Sequence, residues 1–330
     1  MKVIGPLLVV AVAILLAWLG VGALHWQLLF GVIVPYVALG IFLIGFVYRV
    51  VMWGKSAVPF RIPTTCGQQK SFTWIKANPI DNPSSKLGVF GRMVLEVLLF
   101  RSLFRNTRTE KHGEKIGFGS AKWLWLGALA FHWSLLIILL RHLRLFLNPV
   151  PGFVRILDVG DAFFQIALPL LYLTDVAIVC GLTYLFLRRV VAPKIRYISL
   201  PADYLALYLV LAVAITGILM RYFFKVDLFS VKEMTMGLVT FRPVVIDGVG
   251  VVFYIHLFMV CCLFAYFPWS KLMHSGGIFF SPTRNMANNN RTVRHVNPWD
   301  YPVTVHTYEE YEDEYREKMK KSGIPVEKSE

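Results

Sequence analysis

Residues 121–147 read AKWLWLGALAFHWSLLIILLRHLRLFL. Positions 123–140 of this stretch carry no Asp, Glu, Lys or Arg. A helix needs about 20 mostly apolar residues to cross a bilayer, and Trp, Lys and Arg at its ends are the usual interface anchors. The stretch therefore reads as a membrane span. Two imidazoles interrupt its apolar character, His132 and His142, ten positions apart. Ionisable side chains at membrane depth are costly and rare, which makes both functional candidates.

Working outward, five more stretches have the same character: residues 4–24, 28–52, 162–187, 203–223 and 244–267. The 330-residue chain is 56% apolar and only 16% charged, with mean hydropathy +0.58. A soluble domain carries about 25% charged residues, so the expected fold is an all-α bundle of six transmembrane helices. Residues 4–24 also resemble a signal peptide, but their uncharged run exceeds the usual apolar region of about 7–15 residues. A retained first span, occupying residues 1–26, is the expectation.

Basic residues set the orientation. With both termini cytoplasmic, 27 of the 34 Lys and Arg fall on inside segments and 7 outside, as the positive-inside rule requires. The net charge of +14 is thus assigned to cytoplasmic loops facing membrane lipid, with no nucleic-acid partner. The expected location is the cytoplasmic (inner) membrane of a prokaryote. Residues 54–120 form a long cytoplasmic loop, in which Met93–Phe100 reads as an interfacial or re-entrant helix. Residues 281–330 form a polar tail whose run YEEYEDEYREKMKK reads either as a helix on a partner or as a solvated segment, solvation being the default expectation.

His256 and His274 lie on the sixth span and its cytoplasmic end. The third and sixth spans run antiparallel, so His142 faces His256 near the outside and His132 faces His274 near the cytoplasm. Ten positions correspond to about 15 Å along a helix and eighteen to about 27 Å. Pro268 lies between His256 and His274, and a bend there is expected to bring His274 back toward His132. One intramembrane histidine is readily explained as an interhelical hydrogen bond. Four in two facing pairs instead suit two irons with two axial imidazoles each and a flat macrocycle between helices. Cys66, Cys180, Cys261 and Cys262 show no C-x-x-C spacing, so the haems are expected to be two non-covalent haem b groups. Stacked across a bilayer, they imply electron transfer, with a quinone in the lipid and a further subunit in the cytoplasm. Arg141, Arg144 and Lys271 are candidate partners of haem propionates, or plain interface anchors. Asp175, inside the fourth span, is a candidate for pairing with Tyr172, Thr174 or a basic group, or for proton relay. A proton-coupled transporter would favour inverted repeats and broken helices, and none is visible. A haem-free membrane anchor is the other alternative.

The segments GVIVPYVALGIFLIGFVYR, FHWSLLIILLRH, LRRVVAPKIRYISLPADY and IHLFMVCCLFAYFPWSKLMH resemble the NarI-like dihaem cytochrome b family of respiratory nitrate reductase. The resemblance covers residues 27–280. It implies a five-helix dihaem core, to which this chain adds an N-terminal helix, with His132, His142, His256 and His274 as haem ligands. The loop TTCGQQKSFTWIKANPIDNPSSKLGVFGRM is similar to that of the DsrM type within this family. That likeness implies menaquinone (menaquinol) as substrate and a heterodisulfide-reductase-like, DsrK-like iron–sulfur subunit in the cytoplasm. It further implies DsrJ-, DsrO- and DsrP-like partners and a role in sulfur metabolism, through reduction of a trisulfide on a small protein. A related hydrogenase or nitrate-reductase-type complex is the alternative. Nitrate-reductase relatives carry a quinol-linked lysine before the following span, where this chain reads RILDVGDAFF, with Asp158 and Asp161.

Overall fold

The computed structural model describes residues 2–56, 78–162, 170–246, 248–288 and 305–327. Cys66, the first part of the distinctive loop and residues 289–304 of the tail lie outside the described residues. In chain order the helices begin with α1 (Ile4–Gly22), α2 (Leu29–Gly54), α3 (Lys86–Leu99) and α4 (Arg101–Phe104). A hairpin of β1 (Thr107–His112) and β2 (Lys115–Ser120) follows, an addition to the expected all-α fold. Then come α5 (Lys122–Phe146), α6 (Gly152–Asp161), α7 (Leu173–Val191), α8 (Pro193–Ile198), α9 (Pro201–Phe224), α10 (Leu228–Val239) and α11 (Val251–Tyr266). Short turns lead through α12 (His274–Gly277) and α13 (Pro282–Asn285), and α14 (Tyr308–Lys321) lies in the tail.

Among the described residues, α1, α2, α5, α9 and α11 (with the turn to Trp269) are long and apolar enough to cross a membrane. The fourth expected span differs. Residues 163–169 lie outside the described residues, and α7 begins only at Leu173. It carries Asp175 in its first turn and Arg188 and Arg189 in its last, so it lacks an uninterrupted apolar window. Asp175 therefore sits at a helix end, where an acid suits the N-terminal dipole, and not mid-span. The sixth span also starts later than its apolar composition suggests, because Pro243 and Gly250 precede the first helical turn.

The run YEEYEDEYREKMKK of the polar tail forms α14. Thr307 accepts a hydrogen bond from the Glu310 amide and Glu310 accepts one from the Thr307 amide, a capping box that starts α14.

Packing places the core toward the first, fifth and sixth spans. Val10, Ala17 and Val21 of α1 bury one stripe against Tyr204 and Tyr208 of α9 and Phe253, Tyr254 and Met259 of α11. Helix α5 packs mainly on α7 and α10, and α11 mainly on α1, α2 and α9. The α5–α7 contact is close because a Cβ at Gly181 would stand only 3.1 Å from the Phe131 Cβ. Large apolar side chains such as Leu8, Val12, Ile44 and Leu139 project outward. Such a belt is unfavourable in water and expected against lipid.

Candidate functional site

Helix α5 carries His132 and His142 on one rod, held upright by ordinary helical hydrogen bonds. Helix α11 carries His256 in its second turn. After Tyr266 the chain leaves the α-helix through a 3-10 turn at Phe267–Trp269, an extended Ser270 and a second 3-10 turn at Lys271–Met273. The proline ring removes the hydrogen bond that would continue the helix. Gly45 of α2 makes room for this bend, since a Cβ there would lie 2.7 Å from the Pro268 Cβ. The bend delivers His274 to His132. Their ring centroids are 5.9 Å apart with the planes at 84°. At the other level, His142 and His256 lie within electrostatic reach of each other.

Each imidazole is oriented through Nδ1. His132 Nδ1 lies 2.7 Å from the Ala128 carbonyl, His142 Nδ1 2.7 Å from the Ile138 carbonyl, and His274 Nδ1 2.7 Å from the Lys271 carbonyl. A carbonyl only accepts, so Nδ1 carries the proton and Nε2 keeps its lone pair. His256 is the exception in kind. Its Nδ1 stands 2.9 Å from the Thr216 hydroxyl, which donates its own proton to the Ala212 carbonyl at 2.7 Å. The hydroxyl oxygen therefore accepts from His256, with the same result. Four free Nε2 atoms with anchored Nδ1–H groups are the outer-shell arrangement that metal-binding histidines use.

His132 and His274, their ring centroids 5.9 Å apart, are the residues that would hold a metal-centred group between α5 and the bend after α11. Among the described residues, no three His, Cys, Asp or Glu side chains converge as a metal cage. The described residues therefore build no tetrahedral protein-only site. Phe100 and Phe131 stand edge-on to His132, at 5.0 Å and 4.6 Å. Phe100 joins α3 to α4 in a left-handed conformation. The indoles of Trp125 and Trp133 donate to the Leu99 and Leu98 carbonyls, pinning the end of α3 over the inner pair. Leu87, Phe90 and Leu98 of α3 are turned outward.

The three basic residues beside the histidines already have partners. Arg141, 4% exposed, pairs with Asp161, donates to Asp158 at 3.0 Å and to Thr174 at 3.2 Å, and lies 3.3 Å from the Tyr172 ring centroid. Arg144 meets Asp158 at 3.3 Å. Lys271, mostly exposed, reaches Asp203 at 2.7 Å. Asp158 and Asp161 thus neutralise Arg141, a relation that sequence separation concealed. Asp175 accepts from Tyr222 at 2.8 Å. Tyr222 and Arg221 belong to a π-helical turn at Leu219–Phe224, a widening that often marks functional positions. Thr216 and Phe100 carry no motif, and nothing in the sequence singles them out.

Residues 91–296 match the nitrate reductase gamma subunit family. The chain is 50% identical over 279 residues to a protein of Archaeoglobus fulgidus described as "Hdr-like menaquinol oxidoreductase cytochrome b-like subunit", covering 82% of this chain and 83% of that one. A protein of Archaeoglobus profundus with the same description is 48% identical over 277 residues, covering 81% of each. With His132, His142 and His256 carried on apolar helices and these relatives matched over most of its length, the chain belongs to the nitrate reductase gamma subunit family.

Proposed function

We propose that the chain is the cytochrome b subunit of a menaquinol-linked complex of heterodisulfide-reductase type. In this reading it is a six-span anchor with both termini cytoplasmic, the charge asymmetry supporting that orientation. Two non-covalent haem b groups are held by His142 with His256 on the outer side and by His132 with His274 on the inner side. When bound they supply one-electron chemistry. The carbonyls of Ala128, Ile138 and Lys271 and the hydroxyl of Thr216 keep Nε2 of each histidine available. Arg144 and Lys271, each paired with one carboxylate (Asp158 and Asp203) and retaining further N–H donors, are the propionate partners, while Arg141 is saturated by two carboxylates of its own chain. Electrons pass between menaquinol near the outer pair and an iron–sulfur subunit in the cytoplasm. The finer reading is the DsrM type, with DsrK-, DsrJ-, DsrO- and DsrP-like partners and a protein trisulfide as the distal substrate.

The observation that carries this is the approach of the two inner imidazoles, 5.9 Å apart, each with Nδ1 tied back. The test is a reduced-minus-oxidised spectrum of the purified chain with a pyridine haemochrome assay. A b-type α band and two haems per chain are expected; a colourless polypeptide sinks the proposal.

A further inference from the structure

The β1–β2 hairpin takes no part in holding the histidines. Its register sets Thr109 opposite Phe118 and Lys111 opposite Ile116. Alternation then divides its two faces. One face carries Arg108, Glu110 and His112, which form a local ion network lying over Gly117 and Gly119. Arg108 beside it holds the Glu110 carboxyl below the usual carboxylate range. That face is polar and self-satisfied. The other face carries Thr107, Thr109, Lys111, Ile116, Phe118 and Ser120. Phe118 is 73% exposed and Ile116 69%. A two-stranded hairpin is marginal by itself, and burying Phe118 and Ile116 would add to its stability.

Beside this face lies a hollow of about 350 Å³ walled by Phe104, Arg105, Phe118 and Lys122. Lys122 and Arg105, the latter paired with Asp81, stand in its wall, and Lys111 lies on the same hairpin face. Lys122 lies over the Phe104 ring at 5.2 Å. Phe104 is one helical turn from Phe100, joined to it by a 3.0 Å backbone hydrogen bond, and Phe100 is the ring against His132. Through Phe104 and Phe100 the hollow is thus connected by contact to His132 of the inner pair.

We propose that this face of the hairpin is the docking surface for the cytoplasmic electron-transfer subunit, an acidic protein surface that receives Phe118 as an apolar anchor. The proposal rests on the dihaem reading and adds the place and chemistry of contact. An exposed aromatic beside cations has the composition of an interface centre, and opposite charge on the partner steers and aligns the approach.

The experiment compares affinity-purified native complexes from membranes carrying wild type, Phe118→Asp, or the double variant Lys111→Glu with Lys122→Glu. The readouts are non-haem iron per b-type haem and haem per chain. Phe118→Asp is expected to lower retained iron–sulfur subunit at least tenfold with haem per chain unchanged. The charge variant, which leaves the apolar anchor in place, is expected to shed the subunit at lower salt than wild type. If both variants keep the subunit at wild-type stoichiometry, the docking surface is wrong while the dihaem reading stands. The docking surface is equally wrong if the variants lose only co-purifying anionic phospholipid, which would make the face a lipid surface. If wild type itself brings no iron–sulfur protein, the partner in the functional reading falls and this proposal with it.

Discussion

Thr216→Val tests the outer histidine pair without touching a histidine. Valine nearly matches threonine in shape but offers no acceptor. The variant removes the 2.9 Å contact between buried Thr216 and His256 Nδ1 and leaves a partly buried N–H without its hydroxyl partner. A lost hydrogen bond costs about 0.5–1.5 kcal/mol, and an unsatisfied buried donor about 1–3 kcal/mol. A central value of about 2 kcal/mol corresponds to roughly 30-fold in an equilibrium constant, inside the 10–100-fold range for loss of an outer-shell partner. The Val213 carbonyl also faces His256 and takes up part of the lost bond, which moves the expectation toward about tenfold. The assay is haem binding to the apoprotein, followed by absorption for each site. The outer site should weaken about tenfold, the inner site should not change, and Thr216→Ser should restore affinity. Equal outer-site affinity in wild type and Thr216→Val would refute the assignment of Thr216 as the partner that orients His256.

Two further expectations concern the frame around the histidines. Asp161→Ala removes the buried partner of Arg141 together with bonds to the Thr174 amide and hydroxyl. With Asp158 still paired to Arg141, the loss should fall near the lower end of the 3–5 kcal/mol range for a broken buried pair, about 3 kcal/mol, read as reduced resistance of the detergent-solubilised protein to thermal unfolding. Gly45→Leu drives a side chain into Pro268, at about 1–3 kcal/mol for overpacking, and should displace His274. Haem counting should then show loss at the inner site and retention at the outer.

Five apolar helices of membrane length, with histidines on two of them, were legible because their signals are local. An apolar run of membrane length is read from composition, and an imidazole inside it stands out against every neighbour. The bend at Pro268 was legible for the same reason, since proline acts on its own backbone. What escaped depends on contacts between distant positions. Thr216 reads as an ordinary helical threonine until α9 is laid beside α11. Arg141 looks like a membrane anchor until Asp158 and Asp161 of α6 are folded back on it. The hairpin was concealed because TRTEKH has no apolar alternation, leaving only Ile116, Phe118 and the left-handed Gly113 as a weak signal. The late start of α11 follows from Pro243 and Gly250 ahead of its first turn, which hydropathy does not register.

The most direct test of the two-pair account counts haem in His142→Ala and in His274→Ala beside the wild type, using pyridine haemochrome on the purified chains. Each variant should hold one b-type haem where the wild type holds two, and the surviving haem should differ in absorption and midpoint potential between the two variants. Retention of both haems in either variant, or loss of the same haem in both, would contradict the pairing of His142 with His256 and of His132 with His274.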